Sequence, residues 1–375
     1  MRTKPIRLLV VDDSALARKI ITSSLAAFPE IEIIGTAMDP YVAREKILAL
    51  NPDVITLDIE MPRMDGITFL KLIMKHRPMP VIIMSSLTAA GSEKALAALQ
   101  AGAVDVMGKP GGTYSAYADG ARLAEKIMAA AGAHIRPMAD ETIQAVPPLP
   151  HPARAVSPDD RLFKARQIIL LGASTGGTEA LRAVLQSMPG DLPGICIVQH
   201  IPAYFSKAFA ERLNKICAME VREAQDGDCV KPGLALIAPG GFHMLLKWRA
   251  THYQVELNTG PAIHYQRPAV DILFDSAWRA GAGADAIAAL LTGMGTDGAA
   301  GLLRLRQAGA QTIAQDEASS VVFGMPREAI RLGAAQQVLS LARIGPCLQR
   351  MISDPSAHPA STISNPETQP ICRAL

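Results

Sequence analysis

Short apolar runs alternate with helix-like segments along this chain, and the alternation occurs twice. The first set of runs lies at residues 8–11, 31–34, 54–57, 81–84 and 104–107, with helix-like stretches such as 15–27 and 41–50 between them. A strand followed by a helix has enough chain to cross over and lay the next strand parallel to the first. The pattern resumes at Ile168, with further strand candidates at 194–198, 234–237, 253–257, 286–291 and 310–314 and helices after Gly177, Tyr204, Val270 and Ala299. The expected fold class is α/β, built as two doubly wound parallel sheets.

Between the two sets, residues 130–161 hold Pro137, Pro147, Pro148, Pro150, Pro152 and Pro158 with little apolar periodicity. Proline fixes φ and removes a donor, so this stretch reads as a linker. The expected division is a first domain over 1–125, a linker over 126–165, a second domain over 166–350 and a disordered Pro-, Ser- and Thr-rich tail over 351–375. A length of 375 residues is too much for one core and fits this division.

Composition narrows the function classes. With 49% hydrophobic and 19% charged residues the chain is globular, and 4% aromatics make its cores aliphatic. The net charge of +2, without a Lys/Arg block, argues against a nucleic-acid surface. Cys196, Cys217, Cys229, Cys347 and Cys372 are scattered and lack CxxC spacing, which disfavours structural zinc and a disulfide framework. The start is too short and polar for a signal peptide, and no apolar stretch approaches the roughly 20 residues of a membrane helix. The expectation is a cytoplasmic protein with no direct membrane insertion.

Two groups of residues carry chemistry, and the first is acidic. Asp12 and Asp13 follow Val10-Val11, and Asp58 follows Ile55-Thr56-Leu57, at the strand ends where parallel sheets bind ligands. Crowded carboxylates repel unless a hard cation such as Mg²⁺ shares them. Ser85 and Ser86 follow Ile82-Ile83-Met84, and Lys109 follows Val106-Met107-Gly108. A hydroxyl and an ammonium at neighbouring strand ends suit the phosphoryl oxygens of an acyl phosphate on Asp58. Each residue alone could equally be a cap or a solvated loop residue. Their joint placement carries the reading.

Val10-Val11-Asp12-Asp13-Ser14, Asp58-Ile59-Glu60-Met61-Pro62-Arg63-Met64-Asp65-Gly66 and Gly108-Lys109-Pro110 together resemble a response-regulator receiver domain. The resemblance implies a flavodoxin-like fold phosphorylated on Asp58 by a histidine kinase. It further implies Mg²⁺ held by Asp12, Asp13, Asp58 and the Glu60 backbone carbonyl, with Ser85 as switch hydroxyl and Lys109 on the phosphoryl group. Val106 stands where many receivers carry a switch aromatic, so a rotating ring is not implied.

The second group centres on Ser174, in Leu171-Gly172-Ala173-Ser174-Thr175-Gly176-Gly177 directly after an apolar run. A strand that stops on small residues and enters a helix lifts a hydroxyl clear of the sheet, beside converging N–H groups. A phosphate loop or a simple N-cap would use the same residues. A serine nucleophile needs a base. His200 ends the run 195–199 at the matching strand edge, while His243 is a weaker candidate and His252 and His264 lie in less definite loops. Asp297, in Gly293-Met294-Gly295-Thr296-Asp297-Gly298, could orient the base, whereas Asp271 and Asp316 read as helix caps.

These segments, with Gln199-His200-Ile201-Pro202, Ala238-Pro239-Gly240-Gly241 and Phe323-Gly324-Met325-Pro326, resemble the chemotaxis protein-glutamate methylesterase domain. The resemblance implies a Rossmann-like domain that hydrolyses glutamate γ-methyl esters of methylated chemoreceptors, releases methanol without a cofactor, and can deamidate glutamines. Carried over, Ser174 is nucleophile, His200 base and acid, Asp297 orienter, and the N–H groups of Thr175 and Met294 oxyanion donors. Gln266-Arg267-Pro268-Ala269-Val270-Asp271 departs from the family's usual His-Arg-Pro-Ser-Val-Asp. A resting receiver is expected to pack over the Ser174 edge. The competing reading is a non-catalytic, phosphorylation-dependent adaptor, and a DNA-binding output lacks a basic recognition helix.

Overall fold

The computed structural model describes residues 4–86, 88–109, 116–135 and 166–353. Its N-terminal unit runs β1 (Ile6–Val11), α1 (Ala15–Leu25), β2 (Ile31–Ala37), α2 (Pro40–Leu50), β3 (Val54–Asp58), α3 (Gly66–His76), β4 (Val81–Ser85), α4 (Ala89–Gln100), β5 (Asp105–Gly108) and α5 (Ala116–Ala131). The sheet order is β2-β1-β3-β4-β5, with every pairing parallel. Helices cover both faces, so the central strands are buried throughout and read as unbroken Val/Ile/Leu runs. Ser14, Asp39, Asp65 and Thr88 each accept an N–H of the following helix's first turn, a cap of about 1 kcal/mol apiece. Helix α5 carries past the expected boundary at 125 because Leu123, Ala124, Ile127 and Ala130 continue one apolar face against Ile21 and Leu25.

The C-terminal unit runs β6 (Ile168–Ala173), α6 (Gly177–Gln186), β7 (Gly194–Gln199), α7 (Phe205–Asn214), β8 (Glu220–Glu223), β9 (Leu234–Ile237), β10 (His243–Arg249), β11 (His252–Asn258) and α8 (Val270–Arg279). It continues with β12 (Ala286–Leu290), α9 (Ala299–Gln307), β13 (Gln311–Gln315), α10 (Met325–Arg331), β14 (Gln337–Leu339) and α11 (Leu341–Ser353). Its sheet is parallel throughout, in the order β14-β13-β12-β6-β7-β9-β8. The run at 253–257 lies outside this sheet and pairs antiparallel with β10 as a hairpin. Only Ala250 and Thr251 separate the two strands, too few residues for a parallel crossover. Most of the expected linker, and the tail beyond Ser353, lie outside the described residues.

The two units pack together. Leu96 and Leu99 of α4 join one apolar cluster with Phe209 and Leu213 of α7, and the N–H of His134 donates to the Val321 carbonyl at 3.1 Å. Among the described residues no helix is long and apolar enough to cross a membrane.

Candidate active site and phosphorylation site

In the first sheet the chain leaves β1 in one direction to form β2 and in the other to form β3, so a crevice opens between the carboxyl ends of β1 and β3. Asp12 and Asp58 sit there, with oxygens of Asp12, Asp13 and Asp58 all within 4.8 Å of one another. Lys109, at the end of β5, places Nζ 2.8 Å from Asp58 Oδ2 and 3.1 Å from Asp12 Oδ2. These ion pairs lie off hydrogen-bonding directions, and both oxygens are buried without another donor. Burial, reinforced by the Asp12 charge, raises the Asp58 carboxyl above the usual carboxylate range despite Lys109. Burial opposes the Lys109 ammonium, yet Asp58 and Asp12 hold it above its ordinary value. The site therefore carries more negative than positive charge, and the donor set of hard oxygens fits a cation such as Mg²⁺. Ser85 Oγ donates to the Gly91 carbonyl at 3.0 Å, and Val106 is buried in the core.

In the second sheet the reversal of strand order falls at β6 and β12, and three adjacent strands deliver three groups to one rim. Ser174 follows β6, His200 follows β7 and Asp297 lies in the loop after β12. Backbone bonds beyond the strands fix their heights: Ser174 N–H to Thr292 O at 3.0 Å, His200 N–H to Ala173 O at 3.1 Å and Leu291 N–H to Gly172 O at 2.8 Å. The turn after Ser174 needs Gly176, which has φ +76° and leaves no space for a Cβ, since one would stand 2.6 Å from Val321 Cβ. Gln199 Nε2 donates to the Ser174 carbonyl at 2.8 Å, a positioning role that its place in the sequence did not disclose.

The side chains form a chain of contacts. His200 Nδ1 lies 3.1 Å from Ser174 Oγ and His200 Nε2 lies 2.7 Å from Asp297 Oδ2. Asp297 Oδ2 also accepts from Val270 N–H at 2.7 Å, and Oδ1 accepts from Asp271 N–H at 2.9 Å. Its carboxylate therefore caps the N-terminus of α8, where N–H groups and the helix dipole favour negative charge. Burial works against that charge, but His200 and the two N–H groups hold the Asp297 carboxyl below its ordinary range. An ionised Asp297 accepts a hydrogen bond from Nε2–H, which holds the proton on that nitrogen and leaves Nδ1 free to accept from the serine hydroxyl. Among the described residues the N–H groups of Thr175 and Met294 have no acceptor. His243 stands apart, with Nε2 2.9 Å from the Pro261 carbonyl, and His252 lies beside Cys229. Asp271 accepts from Gly301 N–H at 2.7 Å. Burial and the neighbouring Asp297 charge push its carboxyl up to about 6.

The N-terminal unit closes this rim. Asp105 of β5 accepts from Thr175 Oγ1 at 2.6 Å and pairs with Lys126 of α5 at 2.7 Å. Glu125 of α5 lies 3.4 Å from Gln266 Nε2. With these contacts in place Ser174 is only 8% exposed, too enclosed to meet a side chain of another protein. Asp105, Glu125 and Gln199 were not among the residues expected from sequence.

The arrangement defines a class: a phosphoacceptor-type α/β sheet docked on an α/β domain that carries a Ser-His-Asp relay. A family model of CheB methylesterase matches residues 169–348, and one of the response regulator receiver domain matches residues 8–115. The chain is 52% identical over 348 residues to the protein-glutamate methylesterase/protein-glutamine glutaminase 2 of Syntrophus aciditrophicus (strain SB), covering 92% of this chain and 99% of that one. It is 48% identical over 363 residues to the protein-glutamate methylesterase/protein-glutamine glutaminase of Salmonella typhimurium (strain LT2), covering 96% and 99%. The crystal structure of the Thermotoga maritima CheB methylesterase catalytic domain, at 38% identity and a TM-score of 0.49, covers 50% of this chain and 98% of that one. The chain belongs to the CheB methylesterase family, with the family's N-terminal receiver domain.

Proposed function

We propose that this chain is a phosphorylation-regulated serine esterase of the cytoplasm that hydrolyses glutamate γ-methyl esters on chemoreceptors and deamidates receptor glutamines. The observation that carries the reading is the Ser174–His200–Asp297 relay, with contacts of 3.1 and 2.7 Å, at three adjacent strand ends. Its relatives bear both activities in their names.

In this reading Ser174 Oγ attacks the ester carbonyl while His200 Nδ1 takes the hydroxyl proton. The developing oxyanion faces the free N–H groups of Thr175 and Met294. His200 returns the proton to the departing methoxide, methanol leaves, and a γ-glutamyl-serine ester remains. Water, deprotonated by His200, then attacks that ester to give glutamate and restore Ser174. Asp297 stays ionised, fixing the tautomer and stabilising the imidazolium. A glutamine side chain follows the same course with ammonia leaving.

Regulation begins when a histidine kinase's phosphoryl group reaches Asp58, whose oxygen displaces the kinase histidine. Asp12, Asp13, Asp58 and the Glu60 carbonyl would hold Mg²⁺, which when bound supplies positive charge to the phosphoryl oxygens. Lys109 and the Ser85 hydroxyl take up the added oxygens. Those rearrangements weaken the Asp105–Thr175 docking and shift the population toward an open rim. Methanol release from methylated receptor tests the enzyme. Ser174→Ala is expected to lower the rate by a factor on the order of 10⁴ or more. Unchanged release would exclude this serine.

A further inference from the structure

Two backbone peptides complete the reacting centre: the one joining Ser174 to Thr175 and the one joining Gly293 to Met294. Their N–H groups are the ones the developing oxyanion faces, and among the described residues neither has an acceptor. A trans peptide is planar, with carbonyl and N–H pointing in opposite directions, so whatever grips the carbonyl also aims the N–H. Both carbonyls are gripped twice. Ser174 O accepts from Gly177 N–H at 2.7 Å and from Gln199 Nε2 at 2.8 Å. Gly293 O accepts from Gly324 N–H at 3.0 Å and from Met325 N–H at 2.8 Å. The Thr292 hydroxyl joins the two supports, donating to the Thr175 carbonyl at 3.0 Å and accepting from Val322 N–H at 3.0 Å.

Neither grip is what packing alone would produce. Gln199 ends an otherwise apolar strand and is buried. Its amide nitrogen is the end that faces the Ser174 and His200 carbonyls, at 2.8 and 3.4 Å, and this leaves Oε1 buried without a donor. A buried amide oxygen with no partner costs free energy that an apolar side chain of the same length would not. On the other side, a Cβ on Gly324 would stand 2.7 Å from Gly293 O and 2.9 Å from Met294 Cα, so only glycine lets this turn approach the peptide so closely. Each hydrogen bond a carbonyl accepts also polarises its peptide and strengthens the N–H as a donor. We propose that Gln199 and the Gly324-Met325 turn are the positioning elements of the oxyanion hole, holding the Thr175 and Met294 N–H groups from behind. The inference rests on the esterase reading and gives a task to Gln199 and to the Phe323-Gly324-Met325-Pro326 segment, which the relay itself does not use.

The test is methanol release from methylated receptor by the full-length chain. Gln199→Met keeps the length of the side chain and removes the donor. Support behind the oxyanion acts in the transition state, so kcat should fall roughly ten- to fiftyfold, less than the roughly 10²–10³ for loss of an oxyanion donor itself. KM should stay within about twofold of wild type, and the pH profile should keep its shape because His200 is untouched. Gln199→Glu adds a readout that a merely structural role would not move. Only its protonated carboxyl can donate to the Ser174 carbonyl, so its rate relative to Gln199→Met should fall as pH rises. Gly324→Ala crowds the other carbonyl and should lower kcat with the same sparing of KM. Thermal melting confirms that each variant is folded. Gln199→Met with wild-type kcat, a loss confined to KM, or a ratio between the two Gln199 variants that does not move with pH would overturn the positioning role. If the wild-type chain releases no methanol, or Ser174→Ala releases it as fast, the esterase reading fails instead.

Discussion

The two switch points of this molecule are built alike and charged differently. Each gathers side chains from neighbouring carboxyl ends of a parallel sheet. In the receiver, Asp12, Asp13 and Asp58 face one ammonium, and two buried carboxylate oxygens have no donor beyond its ion pairs. In the hydrolase, the Asp297 carboxylate has three N–H donors placed around it before any substrate arrives. The first site is electrostatically unfinished, so a ligand that brings charge changes its state. The second is preorganised, so it can stabilise a transition state without rearranging. A switch and a catalyst thus come from the same topology through opposite treatment of charge.

The largest effect that could break this contrast is expected at Asp297. In Asp297→Asn the amide nitrogen must face either His200 and Val270 N–H or Asp271 N–H, so a buried donor is left facing a donor whichever way it turns. The imidazole is also pushed toward the wrong tautomer. Methanol release should fall by roughly 10⁴-fold, with the melting temperature lowered as well. A loss below tenfold would mean that the carboxylate does not organise the relay.

Asp58→Asn should do the reverse for stability. Because the folded receiver raises the pKa of Asp58, it binds that proton more tightly than the unfolded chain, and ionisation at neutral pH is destabilising. Removing the charge should stabilise the receiver by roughly 0.5–2 kcal/mol, a rise in melting temperature, while phosphodonor no longer accelerates methanol release. Lower stability at neutral pH would show that the Lys109 pairing outweighs the crowding and would erase the contrast.

How much of this was legible beforehand follows the same division between local and distant causes. Strands buried on both faces, such as 81–85 and 168–173, announce themselves as apolar runs. Edge strands do not: Glu220–Glu223 reads Glu-Val-Arg-Glu and Gln337–Leu339 has three residues, because an edge need not be apolar throughout. The hairpin partner 253–257 looked like a sheet strand because alternation does not reveal which strand a run will pair with. Ser174, His200 and Asp297 were visible because each sits beside its strand in a Gly-rich or Pro-marked turn. Asp105 and Glu125 were invisible because their meaning comes from docking against residues 70 and 141 positions away. Nothing local marks a surface carboxylate that another domain will cover.

The smallest expected effect sharpens the contrast from inside the hydrolase. Asp271 shows that preorganisation stops at the relay: burial and the Asp297 charge push its carboxyl up to about 6, so like-charge crowding appears here too, on the very residue whose backbone N–H serves Asp297. For an acid whose folded pKa is raised, the native state holds the proton more tightly, and stability falls as pH climbs from the unfolded value toward the folded one. Asp271→Asn keeps an acceptor for Gly301 N–H but carries no charge to repel. Relative to wild type it should gain about 1 kcal/mol at about pH 7.5, after discounting for partial exposure, and the gain should vanish below about pH 4. Urea midpoints at the two pH values measure it. An equal gain at both would trace the effect to packing and would leave the receiver as the only one of the two sites strained by its own charges.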